Sequence, residues 1–366
     1  MYRKTIVPLV GVLCAVLCLP VTLHSEAFAA EDGPPAADDA SSFVLDTFTV
    51  VSFRLEGQEV TFPLQAAPAT EAEILPATAL LVQGSPHVQS DFEIRGSSFS
   101  DGGFAIEGLP LAHPQTAHFN AALPLPALLF TSPRLLTGMA QILNTPGHLA
   151  GSVGLGFDRI REERSISAGL GSADTDFQSA YVGETLAETP DVRAAAFAKR
   201  RNRAHGLDYD DNFLDLWNVG THLQHRGTGN RTDFAVGYQR KKFGARGFYG
   251  VTPALAAFEE TRDLMAVVSS RQRFTDQDLQ GALALRRFED TYRLPGIAYV
   301  NEHRTYTADA MSSGTLWKQS NVSLHWRIHG RYSEIDSTRL GDHTRKNMRM
   351  SLIEDIALAP FNLLVG

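Results

Sequence analysis

The chain has 366 residues, 43% hydrophobic and 20% charged, with 30 glycines and a formal net charge of −8. The negative balance argues against a nucleic-acid partner, because phosphate backbones are bound through Lys and Arg. Both cysteines, Cys14 and Cys18, lie close to the start, so the rest of the chain has no disulfide framework and no thiol chemistry.

Arg3 and Lys4 precede an apolar run from Ile6 to Leu23, broken by Pro20, and Ala27-Phe28-Ala29 then gives a small-x-small pattern. This is the layout of a secretory signal peptide over residues 1–30, with cleavage expected near Ala29 or Ala30. The alternative is a transmembrane anchor, for which the run is short against the ~20 residues a span needs. Neither cysteine follows the small-residue triplet of a lipoprotein box. The exported classes left are a soluble periplasmic protein and a β-barrel.

Residues 31–90 read as a leader. Its first part, 31–42, is rich in Pro, Ala, Asp and Ser and reads as disordered. Phe43 to Val51 is a short β-prone run, and Gln65 to Ala79 is rich in Ala, Pro and Thr. From Asp91 to Ile160 the chain is punctuated by glycine. Phe92 to Arg95 reads as a strand, Ser100 to Gly103 as a turn, Phe104 to Ile106 as a strand and Glu107 to Pro110 as a turn. Leu123 to Phe130, with Pro124 and Pro126 near its start, reads as a short helix. The pattern is mixed α+β.

From 161 to 366 the texture is alternating. Ser165 to Leu170, Asp233 to Gln239 and Leu279 to Arg286 all show period two. The clearest segment sets Val322, Leu324, Trp326 and Ile328 against Ser323, His325, Arg327 and His329. Period two with one polar face means strands between two different environments. Segments of about ten residues suit tilted membrane strands, and His and Arg on the second face suit a wet lumen. Roughly ten such strands are expected from Ser165 onward.

The middle segment carries a resemblance. Asp91-Phe92-Glu93-Ile94-Arg95-Gly96, followed by Ala105-Ile106-Glu107-Gly108-Leu109-Pro110-Leu111, resembles the plug-domain signature of TonB-dependent outer-membrane receptors, in which an Ile-Arg-Gly strand precedes an Asp-Gly-Val-Pro turn. Leu135-Leu136-Thr137-Gly138 is similar to a later strand of that signature. The family's Tyr-Gly pattern is replaced here by Met139 to Asn144, with glycines returning at Gly147 and Gly151. The resemblance implies a mainly β protein: a small α+β plug domain over 91–160, then antiparallel transmembrane β-barrel strands over 161–366. It implies Ile94, Arg95, Gly96, Glu107, Gly108, Leu109, Pro110 and Gly138 as plug signature residues. Arg95 and Glu107 are expected at the ends of two neighbouring strands, where plug charges pair with charges on the wall. It implies a TonB box at Asp46, Thr47, Phe48, Thr49, Val50 and Val51, binding TonB and its inner-membrane energising complex by strand addition, which depends on backbone hydrogen bonds.

The family's barrels have about 22 strands around a plug, and residues 161–366 suffice for roughly half; a fragment or truncated product is expected. Other expected partners are outer-membrane lipid and an external ligand of the siderophore, cobalamin or glycan class. No cofactor or resident metal is expected.

No nucleophile elbow, P-loop, zinc helix or EF-hand loop occurs, so the chain does not read as an enzyme. Asp208 to Asp211 reads as a solvated acidic turn rather than a calcium loop, and His113, His118 and His148 as polar residues against the wall rather than ligands of a metal chelate. Trp217, Phe248, Tyr249 and Trp326 are expected in interfacial girdles or in loop packing. The competing reading is a passive porin or binding barrel with a periplasmic N-terminal domain.

Overall fold

The structure is a computed structural model. Its described residues run from Val88 to Val365, apart from 95, 121, 132, 146, 172–173, 206–210, 212, 253, 275–276, 297, 320–321 and 359–360, and include four short strands before Val88. The signal peptide, both cysteines, the 31–42 leader, Asp46, Thr47, Val51, Arg95 and Asp208 to Asp210 lie outside the described residues.

The N-terminal domain contains β1 (Phe43–Leu45), β2 (Phe48–Val50), β3 (Val60–Thr61), β4 (Thr78–Gln83), β5 (Gln89–Ile94), β6 (Gly102–Ile106), β7 (Leu109–Leu111), β8 (Arg134–Leu136), the helix α1 (Met139–Asn144) and β9 (Gly151–Leu155). Seven strands form one sheet in the order β1-β2-β3-β8-β9-β6-β7. In it β6 and β9 run parallel, and the other pairs are antiparallel. The strand carrying Ile94 is not a neighbour of β6, as the sequence suggested. It pairs with β4 in a separate two-stranded sheet, because β9, far along the chain, takes the place beside β6.

Ile106 opposes Leu109 across the β6–β7 turn, and φ is +49° at Glu107 and +79° at Gly108. Two positive φ values give the tight turn whose twist matches that of the strands it joins. Leu123 to Phe130 holds only a single 3-10 turn, Ala127–Leu129, instead of the expected helix. Pro124 and Pro126 lack the N–H groups that a helix would use.

The second part is one continuous wall. It consists of β10 (Glu163–Gly171), β11 (Thr175–Glu188), β12 (Asp191–Arg203), β13 (Leu214–Gly227), β14 (Asn230–Gly244), β15 (Phe258–Arg273), β16 (Asp278–Leu294), β17 (Tyr299–Gln319), β18 (Val322–Ser337), β19 (His343–Leu358) and β20 (Phe361–Val365). These eleven strands pair in sequence order, all antiparallel. The four segments with the clearest alternation fall in β10, β14, β16 and β18. Strands of 13 to 21 residues over β11–β19 exceed the ~9–11 that a tilted strand needs to cross a bilayer.

The core joins the two parts. Ile106, Leu109, Leu125 and Phe157 of the N-terminal domain are buried in one cluster with Phe197, Ala235, Met265 and Met311 of the wall. Burying each Leu, Ile or Phe side chain contributes about 1.5–3 kcal/mol.

Candidate site at the interface of the N-terminal domain and the wall

Strand geometry sends alternate residues of the wall to opposite faces, and the two faces differ. On β13, Asn218, His222 and Gln224 are buried, while Trp217, Val219 and Leu223 are exposed. On β14 and β15, Asp233 and Asp263 are buried, while Phe234 and Leu264 are exposed. The polar residues thus face the N-terminal domain and the apolar ones face out. That inverts the order of a water-soluble sheet. The outward residues form continuous rows: Ala194, Leu223, Phe234, Val268, Leu283 and Ala310 are successive cross-strand partners over β12–β17.

The inward side chains grip the N-terminal domain mainly by its backbone. At the β6–β7 turn, Arg327 donates to the Gly108 carbonyl and, at 3.1 Å, to Asn144 Oδ1. Arg331 donates to the Pro110 carbonyl, and Gln280 Nε2 to the Glu107 carbonyl at 3.0 Å. Arg286 Nη2 reaches the Ala122 carbonyl at 2.8 Å while the same guanidinium holds Asp263 at 2.7 Å. Asn218 Nδ2 donates to the Pro124 carbonyl at 3.0 Å and Gln239 Nε2 to the Leu123 carbonyl at 3.4 Å. Gly237 lets this segment close on the wall, because a Cβ there would meet the Pro124 carbonyl and, at 2.9 Å, Leu125.

Glu107 is the charged contact that the sequence anticipated. Its Oε1 accepts from Arg231 Nη2 at 3.2 Å and from the Phe157 N–H. Arg231 also holds Asp233, whose other oxygen accepts from His222 Nε2 at 2.9 Å and Gln224 Nε2 at 2.6 Å. Gln224 in turn donates to the Asp158 carbonyl at 2.8 Å and accepts from Ile160 N–H at 3.2 Å, so the connection into the wall is itself strapped to β13. Burial pushes the Glu107 carboxyl above the ordinary carboxylate range, against the opposing pull of Arg231 and the Phe157 N–H.

Of the other sequence candidates, Ile94 and Leu109 are buried in the core and Pro110 lies in β7 against the wall. Gly96 and Gly138 have positive φ, at turns. His113 packs on Phe288 at 4.6 Å between ring centroids, and its Nε2 lies 3.3 Å from Thr305 Oγ1. Its Nδ1 faces the N–H groups of Gln115 and Thr116 at 3.4 Å, so Nε2 carries the hydrogen of the neutral ring. Burial, then Arg286 and His303, hold its pKa well below 6.5. His118 stacks on Phe99 and lies near Tyr249. Burial also lowers His148. Among the described residues no group of His, Cys, Asp or Glu is placed to hold a metal ion. Trp217 and Trp326 share the outward face with their apolar strand neighbours, whereas Phe248 is buried in the 245–257 connection and Tyr249 reaches Gln89. Sequence reasoning missed Arg231, Arg286 and Gln280; alternation placed Gln280 and Arg286 on the polar face without saying what they meet, and Arg231 lies just before the alternating run that starts at Asp233.

No protein-family model matches the chain, and no curated protein sequence does. Solved structures do match. The alcaligin outer-membrane receptor FauA of Bordetella pertussis is 16% identical with a TM-score of 0.66, over 86% of this chain and 55% of that one. The ferric preacinetobactin receptor BauA of Acinetobacter baumannii is 13% identical with a TM-score of 0.60, over 83% of this chain and 55% of that one. The copper transporter OprC is 14% identical with a TM-score of 0.56, over 85% and 62%. The chain spans little more than half the length of the structures it matches. With an N-terminal domain docked on the polar face of a strand wall whose other face is apolar, it has the plug-and-barrel fold of the TonB-dependent outer-membrane receptors.

Proposed function

We propose that the chain serves active uptake of a scarce ligand across the outer membrane of a Gram-negative cell, with energy delivered through TonB. The observation that carries this reading is the inverted polarity of the wall around a docked domain, which suits a barrel in lipid closed by a plug. The neighbours include siderophore and copper receptors, and the ligand proposed here belongs to that scarce class, with cobalamin and glycans as further members. The function is binding and passage, without covalent chemistry. Export through a cleaved signal peptide at Ala29 or Ala30 belongs to the same proposal.

Asp46 to Val51 is the proposed TonB-binding segment. Backbone placement is compatible, since Phe48–Val50 is extended and pairs with Phe43–Leu45. In detergent-solubilised full chain, Val50→Pro removes a backbone donor and is expected to weaken binding of the TonB periplasmic domain about tenfold or more, whereas Thr49→Ala changes it less than about twofold. Equal binding by both variants refutes the box. For the function itself, cells stripped of their own receptors and expressing this chain within a receptor of the length of its structural matches are expected to take up at least one ferric siderophore, cobalamin or oligosaccharide from a panel only when TonB is present. Flux of small solutes that does not depend on TonB would instead support the passive porin.

A further inference from the structure

On the face opposite the outward apolar belt, the connection that follows β14 folds in against the wall and the N-terminal domain. Its base is tied. The Ala245 N–H donates to the Ala257 carbonyl at 2.8 Å, and Arg246 Nε holds Asp211 of the preceding connection at 2.8 and 3.0 Å. Its middle is buried: Phe248 lies in an apolar cluster with Phe243, Tyr292 and Leu294 of the wall and with Val88 at the entry to β5. Tyr249 stands in the left-handed region, at φ +55° and ψ +32°, and Gly247 and Gly250 on either side also have positive φ, +79° and +74°. A residue with a Cβ rarely adopts this conformation and keeps it only where its surroundings hold it.

What holds it is shared between the two parts of the chain. The Tyr249 hydroxyl lies 2.9 Å from Gln89 Oε1 on β5 and 2.8 Å from Glu259 Oε2 on β15, and both partners are buried. The Tyr249 ring lies 5.4 Å from the Tyr292 ring and 5.6 Å from that of His118, which stacks on Phe99. A phenol has one hydrogen for two acceptors. The carboxylate is the stronger acceptor, and turning the Gln89 amide over lets its nitrogen donate to the phenol oxygen. That also satisfies Gln89 Nε2, which otherwise has no hydrogen-bond partner. One tyrosine thus links the N-terminal domain to the wall. The strand it holds pairs with β4 outside the seven-stranded sheet, and a two-stranded hairpin by itself is marginal in water. At its entry β5 is fixed by Lys241 on the Val88 carbonyl and by the Tyr249 link at Gln89.

We propose that this connection is a latch on the β4–β5 hairpin, closed by Tyr249 and opened when the hairpin moves. Displacing β5 takes Val88 from Phe248 and Gln89 from Tyr249 together. Only Glu259 then offsets the left-handed strain at Tyr249, and the tip swings about Gly247 and Gly250 while its base stays tied. Opening the tip removes the same contacts from β5, so the coupling is reciprocal. Uptake that moves the N-terminal domain must first release this hold. That consequence rests on the function proposed above, whereas the coupling itself does not.

The test is hydrogen exchange of the full chain in detergent micelles, followed over 88–94, over 245–252 and, as a reference, over β13. Tyr249→Phe keeps the ring and removes the hydroxyl. It is expected to speed exchange about fivefold in both 88–94 and 245–252, the size of one lost hydrogen bond, and to leave β13 unchanged. Gln89→Met, made on the N-terminal domain, should speed exchange of 245–252 by a similar factor. The double variant should exchange no faster than Tyr249→Phe, because both changes cut the same link. A Tyr249→Phe effect confined to 245–252, an unchanged 245–252 in Gln89→Met, or fold-changes that multiply in the double variant would overturn the latch. Acceleration of β13 in step with the other two segments would show general loosening and overturn it as well. None of these outcomes bears on uptake, which the cell assay above decides separately.

Discussion

At Glu107 one carboxylate oxygen serves both the Phe157 N–H and Arg231. Glu107→Gln keeps the shape but removes the charge, so docking of the plug is expected to weaken by about 1.5–3 kcal/mol, the range for a hydrogen bond to a charged group. The measurement is the urea concentration at which protease first cuts within 91–160; an unchanged midpoint rejects the role. His113 predicts a pH dependence. Docked, it stays neutral below its ordinary 6.5, while undocked it takes up a proton. Docking should therefore be fully favourable above about pH 6.5 and lose stability as pH falls below it. Glu107, whose carboxyl is raised, works in the opposite sense at lower pH, so the comparison must be made against His113→Asn near pH 5.5 and 7.5. A variant that keeps the wild-type slope would reject His113 as its source. At this scale the sequence showed which residues carry charge and which turn they sit in. It did not show Arg231 as the partner, because 124 residues separate the two and no local pattern encodes a contact that distant.

Among the elements, the β6–β7 turn is the one most exposed to substitution. Gly108 has φ +79°, and an added Cβ would meet Met311 at 3.2 Å and Asn144 at 3.3 Å. Gly108→Ala is expected to cost about 1–2 kcal/mol from backbone strain alone, read as a lower urea midpoint for the plug; no loss would mean that the turn relaxes. This turn was legible because Glu-Gly between two apolar triplets has few other uses. The helix α1 was not. It is six residues long, begins after Gly138 without a side-chain cap and is closed by Thr145. A helix so short has no readable period and depends on tertiary contacts, here Arg327 on Asn144. The place of β5 beside β4 was hidden for a related reason: which strands pair depends on what the intervening chain does elsewhere.

For the whole molecule, the alternating strands were the strongest signal, and they became the wall. The direction of each face was also legible, since Arg327 and His329 lie on the side that meets the plug. Eleven strands rather than roughly ten reflect β20, a short strand on the edge of the sheet. A substitution on the outward face separates lipid from water as its surroundings. Leu285 is 49% exposed within the belt. Leu285→Arg should cost about 2–4 kcal/mol in a bilayer if it lies near the midplane, but less than about 0.5 kcal/mol on a water-facing surface. Folding into vesicles, followed by urea titration, distinguishes the two.

The grip of the wall on backbone carbonyls has a consequence for how such a protein ages. Every residue type offers the same carbonyl, so Arg327, Arg331, Arg286, Gln280 and Asn218 recognise the path of the plug and are largely indifferent to the letters along it. Mutations that change plug side chains leave these contacts standing, whereas an insertion or deletion in 119–124 would misplace the carbonyls of Ala122 and Pro124. Drift in spelling with constancy of path is what such an interface permits. It agrees with a chain that no family model matches while a solved receptor follows its course over 86% of its length at 16% identity.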